Sequence, residues 1–167
     1  MNVAGIALRT VKRLPTPLGY RVLDQAMARV IPFNRGMGLR IEALDELGAV
    51  VSLPWRRRNA NHLRGQHACA IATLGEYCSG IWVAWNFGPD RFRLVMRQLV
   101  VDYHSQGKTR LVGTMRADDV AQRLLAHPPD EKCDIALVTH IVDDAAKHVA
   151  TVSTQWQIKP WDQVAFK

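Results

Sequence analysis

The chain has 167 residues, 48% of them hydrophobic and 22% charged, and a formal net charge of +7. That length suits one domain with one core, and the composition is that of an ordinary globular protein with no low-complexity tract. The positive balance means either a soluble basic surface or an anionic partner, whether nucleic acid, a membrane surface or a phosphorylated cofactor. Only Arg56-Arg57-Arg58 form a basic run, and no nucleic-acid-binding signature is visible, so nucleic acid is not expected. The N-terminus lacks a basic-then-apolar signal pattern, so export is not expected. Cys69, Cys78 and Cys133 have no metal spacing and leave one thiol over in any disulfide scheme, which fits a reducing cytoplasm.

Residues 2–31 carry helical periodicity in two pieces, broken at Pro15 and Pro17. The first piece is short and basic, with Arg9, Lys12 and Arg13, and reads as a solvated cap; no stable membrane anchor is expected. The second, about 18–30, places Leu18, Val22, Leu23, Ala26, Met27 and Val30 on one stripe. We take 1–33 as a helical extension and 34–167 as the main domain. Residues 38–56 alternate as a hairpin, with Pro54 marking its second strand as an edge or a strand ending.

From Ala68 to Trp85 the chain is almost wholly apolar or small and has no Pro, which predicts one buried helix of about five turns. Glu76 interrupts the run, so it reads as a core helix and not a membrane span. A buried carboxylate is costly unless it is satisfied or used.

After the loop 86–90, RFRLVMRQLVVDYH predicts a long strand, Gln106-Gly107-Lys108 a turn and TRLVGTMRA a second strand. Residues 117–130 suggest a helical turn or two. CDIALVTHIVDD and KHVATVSTQWQIK alternate clearly and form a closing hairpin. With short turns between neighbours, the expected architecture is α+β: a six-stranded antiparallel sheet against one buried helix.

That element order resembles the hot-dog fold, in which a curled sheet wraps one long helix. The residues at the helix start sharpen the likeness. Thioesterases of the 4-hydroxybenzoyl-CoA and phenylacetate-pathway type carry an Asn or Gln, then a His-Gly-Gly six residues later, then an Asp or Glu nine residues after the His. Here Asn61 precedes His67 by six, and Glu76 follows it by nine. The resemblance covers about residues 34–159. Within that superfamily the run Arg56-Arg57-Arg58-Asn59-Ala60-Asn61 and the Glu in place of Asp look most like a bacterial branch known as a domain of unknown function. The two glycines are Ala68 and Cys69 here. Ala68 keeps its N–H but adds a methyl where an acyl group approaches.

The resemblance implies an acyl-thioester hydrolase, with the thioester of coenzyme A or acyl carrier protein as substrate and no further cofactor. Thioester hydrolysis builds negative charge on the carbonyl oxygen, and a helix N-terminus offers free N–H groups and a favourable dipole there. Ala68 N–H fits that role. Glu76 would be nucleophile or general base, Asn61 would orient water or carbonyl, and His67 would position the thioester. Arg56, Arg57, Arg58, Asn59 and Cys69 are candidate substrate contacts. Ala68 and Glu76 stand eight positions apart, roughly 12 Å along a helix, so one helix cannot bring both to one carbonyl. Two antiparallel copies can, and Ala72, Gly75, Ser79 and Gly80 are small enough for a close approach. A homodimer or a dimer of dimers is therefore expected.

Each assignment has a plainer counterpart. Glu76 can be a structural carboxylate, His67 a helix-start residue bonding backbone, Asn61 a cap of a helix or turn, Arg56–Arg58 a solvated loop, and Cys69 and Cys78 small core residues. His62, His104, His127, His140 and His148 form no ligand spacing, so no metal is expected. Competing functions are a non-catalytic acyl-thioester-binding module, a hot-dog dehydratase or hydratase (which would need a His–Pro-rich loop that is not present before the helix), and nucleic-acid binding from charge alone.

Overall fold

The computed structural model describes residues 5, 8, 11, 16–126 and 130–164. The short basic piece with Arg9, Lys12 and Arg13, and His127, lie outside the described residues. In chain order the elements are α1 (Thr16–Val30), β1 (Arg40–Leu44), β2 (Gly48–Leu53), α2 (Ala68–Phe87), β3 (Phe92–Tyr103), β4 (Leu111–Arg116), α3 (Asp119–Ala126), β5 (Cys133–Asp143) and β6 (His148–Pro160). The six strands form one sheet in the order β1-β2-β4-β5-β6-β3. Every neighbouring pair is antiparallel. This is the hot-dog arrangement, with α2 laid across the concave face.

The helix is two residues longer than the apolar run predicts, because its end is set by chemistry after Trp85. Gly88, at φ +79°, donates its N–H to Ala84 O at 3.1 Å and closes the last turn. Leu74, Cys78, Ile81, Trp82 and Val83 are buried almost completely. Each large apolar side chain of that set contributes about 1.5–3 kcal/mol through removal from water. Opposite them, alternation along β5 and β6 turns Ile135, Leu137, Ile141, Val152 and Ile158 inward. Gly75 is required by this contact, since a Cβ there would run into Val152.

One alternative is settled and two expectations change. Pro54 follows the last residue of β2, and β2 lies between β1 and β4, so the proline ends a strand and marks no edge. Next, β3 does not pair with β4. It pairs with β6 at the far edge, and the 104–110 connection crosses beneath the start of α2, where Gly107 O accepts the Gln66 N–H at 2.7 Å. Finally, the apolar stripe read on α1 is split. Leu23 and Met27 are buried, whereas Leu18, Val22 and Val30 are exposed.

The cause of that rotation is the β1 edge. Tyr20 Oη accepts the Leu44 N–H at 3.0 Å and donates to Leu44 O at 3.2 Å. Asp24 Oδ1 accepts the Ile41 N–H at 3.0 Å. Unpaired strand groups outrank three exposed aliphatic side chains, because an unsatisfied backbone polar group costs about 1–3 kcal/mol when buried. Helix α1 thus takes the place of a seventh strand. The opposite edge, β3, has no neighbour on its free side among the described residues.

Candidate active site

The segment between β2 and α2 is held by its own side chains. Asn61 Oδ1 accepts the N–H groups of Leu63 (2.9 Å) and Gly65 (3.1 Å). Its backbone N–H bonds Gly65 O at 2.8 Å. Asn61 therefore builds the tight turn that precedes the helix, leaving its Nδ2 without a hydrogen bond among the described residues. Asn59 is buried, and its Nδ2 donates to Met37 O at 2.8 Å. Its amide ties this segment to the 34–40 loop and faces no open space.

His67 is the N-cap of α2. Its Nδ1 accepts the Cys69 N–H at 3.1 Å, so Nε2 carries the ring proton. The carbonyl of His67 accepts from Ala70 (2.9 Å) and Ile71 (3.1 Å). Of the first N–H groups of the helix, Ala68's is the one left unpaired among the described residues. It sits at the positive end of the dipole, on an exposed residue.

Down the same side of α2 runs a half-exposed stripe of small residues: Cys69, Ala72, Glu76 and Gly80. Glu76 is the one ionisable carboxylate on it. No hydrogen bond or ion pair reaches its carboxyl among the described residues, and burial alone pushes it up from 4.5 to about 7. Trp156, on β6, forms the floor: a Cβ at Gly80 would lie 2.9 Å from its ring and 3.4 Å from Glu76 Oε1. Ser79 fixes this floor, accepting from Trp156 Nε1 and from Thr154 Oγ1 at 3.0 Å each and donating to Glu76 O at 3.0 Å. At the top of the stripe Tyr103 Oη donates to Ala68 O at 2.9 Å.

This corrects one expectation. Gly75 and Ser79 are consumed by the chain's own sheet and are not free to meet a second helix. Ala72 and Gly80 remain on the half-exposed stripe. Ser79, Trp156 and Tyr103 could not be named from sequence, since no spacing motif carries them; only strand alternation placed Trp156 inward.

The family model described as Domain of unknown function (DUF4442) matches residues 19–158. The chain belongs to the DUF4442 family. That match covers most of α1, so the helix that caps β1 lies within the family's own span. Among solved structures, the DUF4442 chain is similar to a Pseudomonas aeruginosa protein described as a probable thioesterase. The TM-score is 0.74 and the identity 23%, covering 88% of this chain and 97% of that one. It is also similar to a Staphylococcus aureus thioesterase, with TM-score 0.66, 15% identity and 77% and 99% coverage. A third likeness is to a Chlorobaculum tepidum protein of unknown function, with TM-score 0.71, 18% identity and 84% and 94% coverage. At these identities the likeness establishes the hot-dog fold. No curated protein sequence matches the chain.

The three arginine candidates lie apart from the stripe. Arg56 Nη1 donates to Gly36 O at 3.1 Å, and the Arg58 guanidinium packs over Gly36. Arg57 is exposed, and its side chain makes no hydrogen bond among the described residues. Cys69 is exposed beside Ala68, whereas Cys78 is buried between strands and its thiol is pushed up to about 12. His104, His140 and His148 gather on the outer sheet face, with ring centroids 4.3 Å (His104–His148) and 5.9 Å (His140–His148) apart. Even so, no His, Cys, Asp and Glu group among the described residues could hold a metal ion. No described helix is long and apolar enough to cross a membrane.

Proposed function

We propose that this protein hydrolyses acyl thioesters, of coenzyme A or acyl carrier protein, at a site shared by two copies of the chain. The observation that carries this is Glu76: a desolvated carboxyl with no partner, poised near neutrality on a stripe of small residues. A carboxylate that satisfied the core would be bonded; this one is left unspent. At about 7 it is suited to act as a general base on water. Ala68 N–H supplies the oxyanion donor, and the exposed stripe admits the acyl group above Trp156.

Ala68 and Glu76 remain roughly 12 Å apart along one helix. The open β3 edge supports the second copy. Val95, Leu99, Val100 and Tyr103 are exposed on it, and a long apolar edge strand is a pairing surface. Two β3 strands paired about a two-fold axis bring the α2 start of one copy toward the middle of the other. Arg57 is the run's free guanidinium for carrier phosphates, while Arg56 and Arg58 are engaged with the 36–38 loop.

The test is a panel of acyl-CoA thioesters followed by free-thiol release, on the native protein and on Glu76→Gln. Hydrolysis that falls by two orders of magnitude or more in the variant is expected for loss of the base. A flat panel, with saturable acyl-CoA binding, would favour the non-catalytic binding module.

A further inference from the structure

A cavity of about 240 Å³ lies on the other side of α2 from the Glu76 stripe, lined by Asp24, Met27, Asn34, Leu39, Arg56 and Tyr77 among others. Tyr77 follows Glu76 by one position, so its side chain leaves the helix about 100° away from that stripe. The cavity has unspent hydrogen-bonding capacity. Tyr77, 5% exposed, makes no side-chain hydrogen bond among the described residues. Asp24 uses Oδ1 on the Ile41 N–H, leaving Oδ2 as an acceptor.

A cation stands at the mouth. The Arg56 guanidinium lies over Gly38, which at φ +84° has no side chain to displace it: a Cβ there would sit 2.5 Å from Arg56 Cζ. One of its N–H groups is taken by Gly36 O, and the rest of the fork is available. The wall opposite is apolar, formed by Met27 and Leu39. Size then limits the guest. The space is below the roughly 300–1,000 Å³ of pockets that hold drug-sized ligands, which suits a small guest.

We infer that this cavity is a second ligand site, for a small carboxylate that carries a hydrogen-bond donor on the adjacent carbon: a 2-hydroxy or 2-amino acid. The carboxylate oxygens meet Arg56 and the Tyr77 hydroxyl, the hydroxyl or ammonium meets Asp24 Oδ2, and the short carbon chain lies on Met27 and Leu39. Two donors and an acceptor around one cavity favour a bifunctional guest over a simple anion.

Three compounds on the same carbon skeleton test this: propionate, lactate and alanine, titrated into isotope-labelled full chain while amide shifts are followed by NMR. Saturable shifts in residues 24–40, 56 and 77 with lactate or alanine are expected, with propionate at least about tenfold weaker. The stronger of the two identifies the donor as hydroxyl or ammonium. Asp24→Asn should abolish the preference over propionate, and Tyr77→Phe should weaken binding about tenfold. Arg56→Gln, at the exposed mouth, repeats that test without altering the core. Glu76→Gln should bind as the native protein does, whatever becomes of the hydrolase reading. Equal binding of all three compounds or unchanged binding in the Arg56 variant would overturn the proposal, and no saturation by any of them would overturn it and leave a water-filled cavity.

Discussion

The hydroxyl of Tyr103, the last residue of β3, donates to the carbonyl of Ala68, the first residue of α2, at 2.9 Å. The open edge of the sheet is thereby tied to the residue proposed as the oxyanion donor. Removing that hydroxyl as Tyr103→Phe should cost about 0.5–1.5 kcal/mol, toward the lower end because Tyr103 is 48% exposed. Denaturant unfolding measures it. Because the first turn then loosens, kcat should fall more than KM rises.

Ala68 is the N1 position, where proline is favoured and its missing N–H costs the helix nothing. His67 already has φ −66° and ψ 142°, the extended conformation a following proline requires. Ala68→Pro should therefore keep stability within about 1 kcal/mol while deleting the oxyanion donor, with a loss of about 10²–10³ in kcat. A hydrolysis rate equal to the native one would remove Ala68 from the chemistry.

His67 has two separable roles. As N-cap it should be replaceable by Asn, which caps at least as well, whereas His67→Ala should cost about 0.5–2 kcal/mol. If Asn restores both melting temperature and turnover, the histidine serves the helix. If it restores only the melting temperature, the free Nε2 acts on substrate.

Glu76 predicts two pH dependences. Its folded value, about 7, lies above the ordinary 4.5, so the folded state binds this proton more tightly than the unfolded state does. Its contribution is most favourable below 4.5, declines as pH rises to about 7 and is flat beyond. Glu76→Gln lacks that limb, and should exceed the native protein in stability by up to about 3 kcal/mol at pH 8. Turnover should run the other way, rising through about 7 as the base ionises. Paired denaturant curves and pH–rate profiles check both, and a native protein no less stable than the variant at pH 8 would contradict the unpaired carboxyl.

A shared site can be tested by complementation. Glu76→Gln mixed with Ala68→Pro should form about half heterodimers on random pairing, each with one intact site, so roughly a quarter of all sites recover. With subunit exchange confirmed, no recovery would place both groups within one chain.

What the sequence made legible was whatever a period or a strong local preference controls. The apolar run at 68–85 could be nothing but a buried helix, and the alternation of residues 133–158 could be nothing but paired strands. Three residues at fixed spacing led to Asn61, His67 and Glu76. What stayed hidden depended on contacts distant in sequence. Residues 92–103 alternate alike whether they pair with β4 or β6; the choice is made by how residues 104–110 cross under α2. Leu18, Val22 and Val30 looked like core because periodicity ranks apolarity, not the need of Ile41 and Leu44 for hydrogen-bond partners. Asn61 and Asn59 show another limit, because an amide that builds a turn and one that binds a ligand are the same residue type and their bonds are visible only in the fold.

The unequal treatment of the two sheet margins limits how copies of this chain can associate. One margin, β1, is closed by Tyr20 and Asp24; the other, β3, is open among the described residues. A building block with a single adhesive side has a valence of one: it joins one like copy and then stops. Were α1 peeled away, the same sheet would have two adhesive sides, and joining would continue without end, as in a fibre. The N-terminal helix is in that sense a chain terminator.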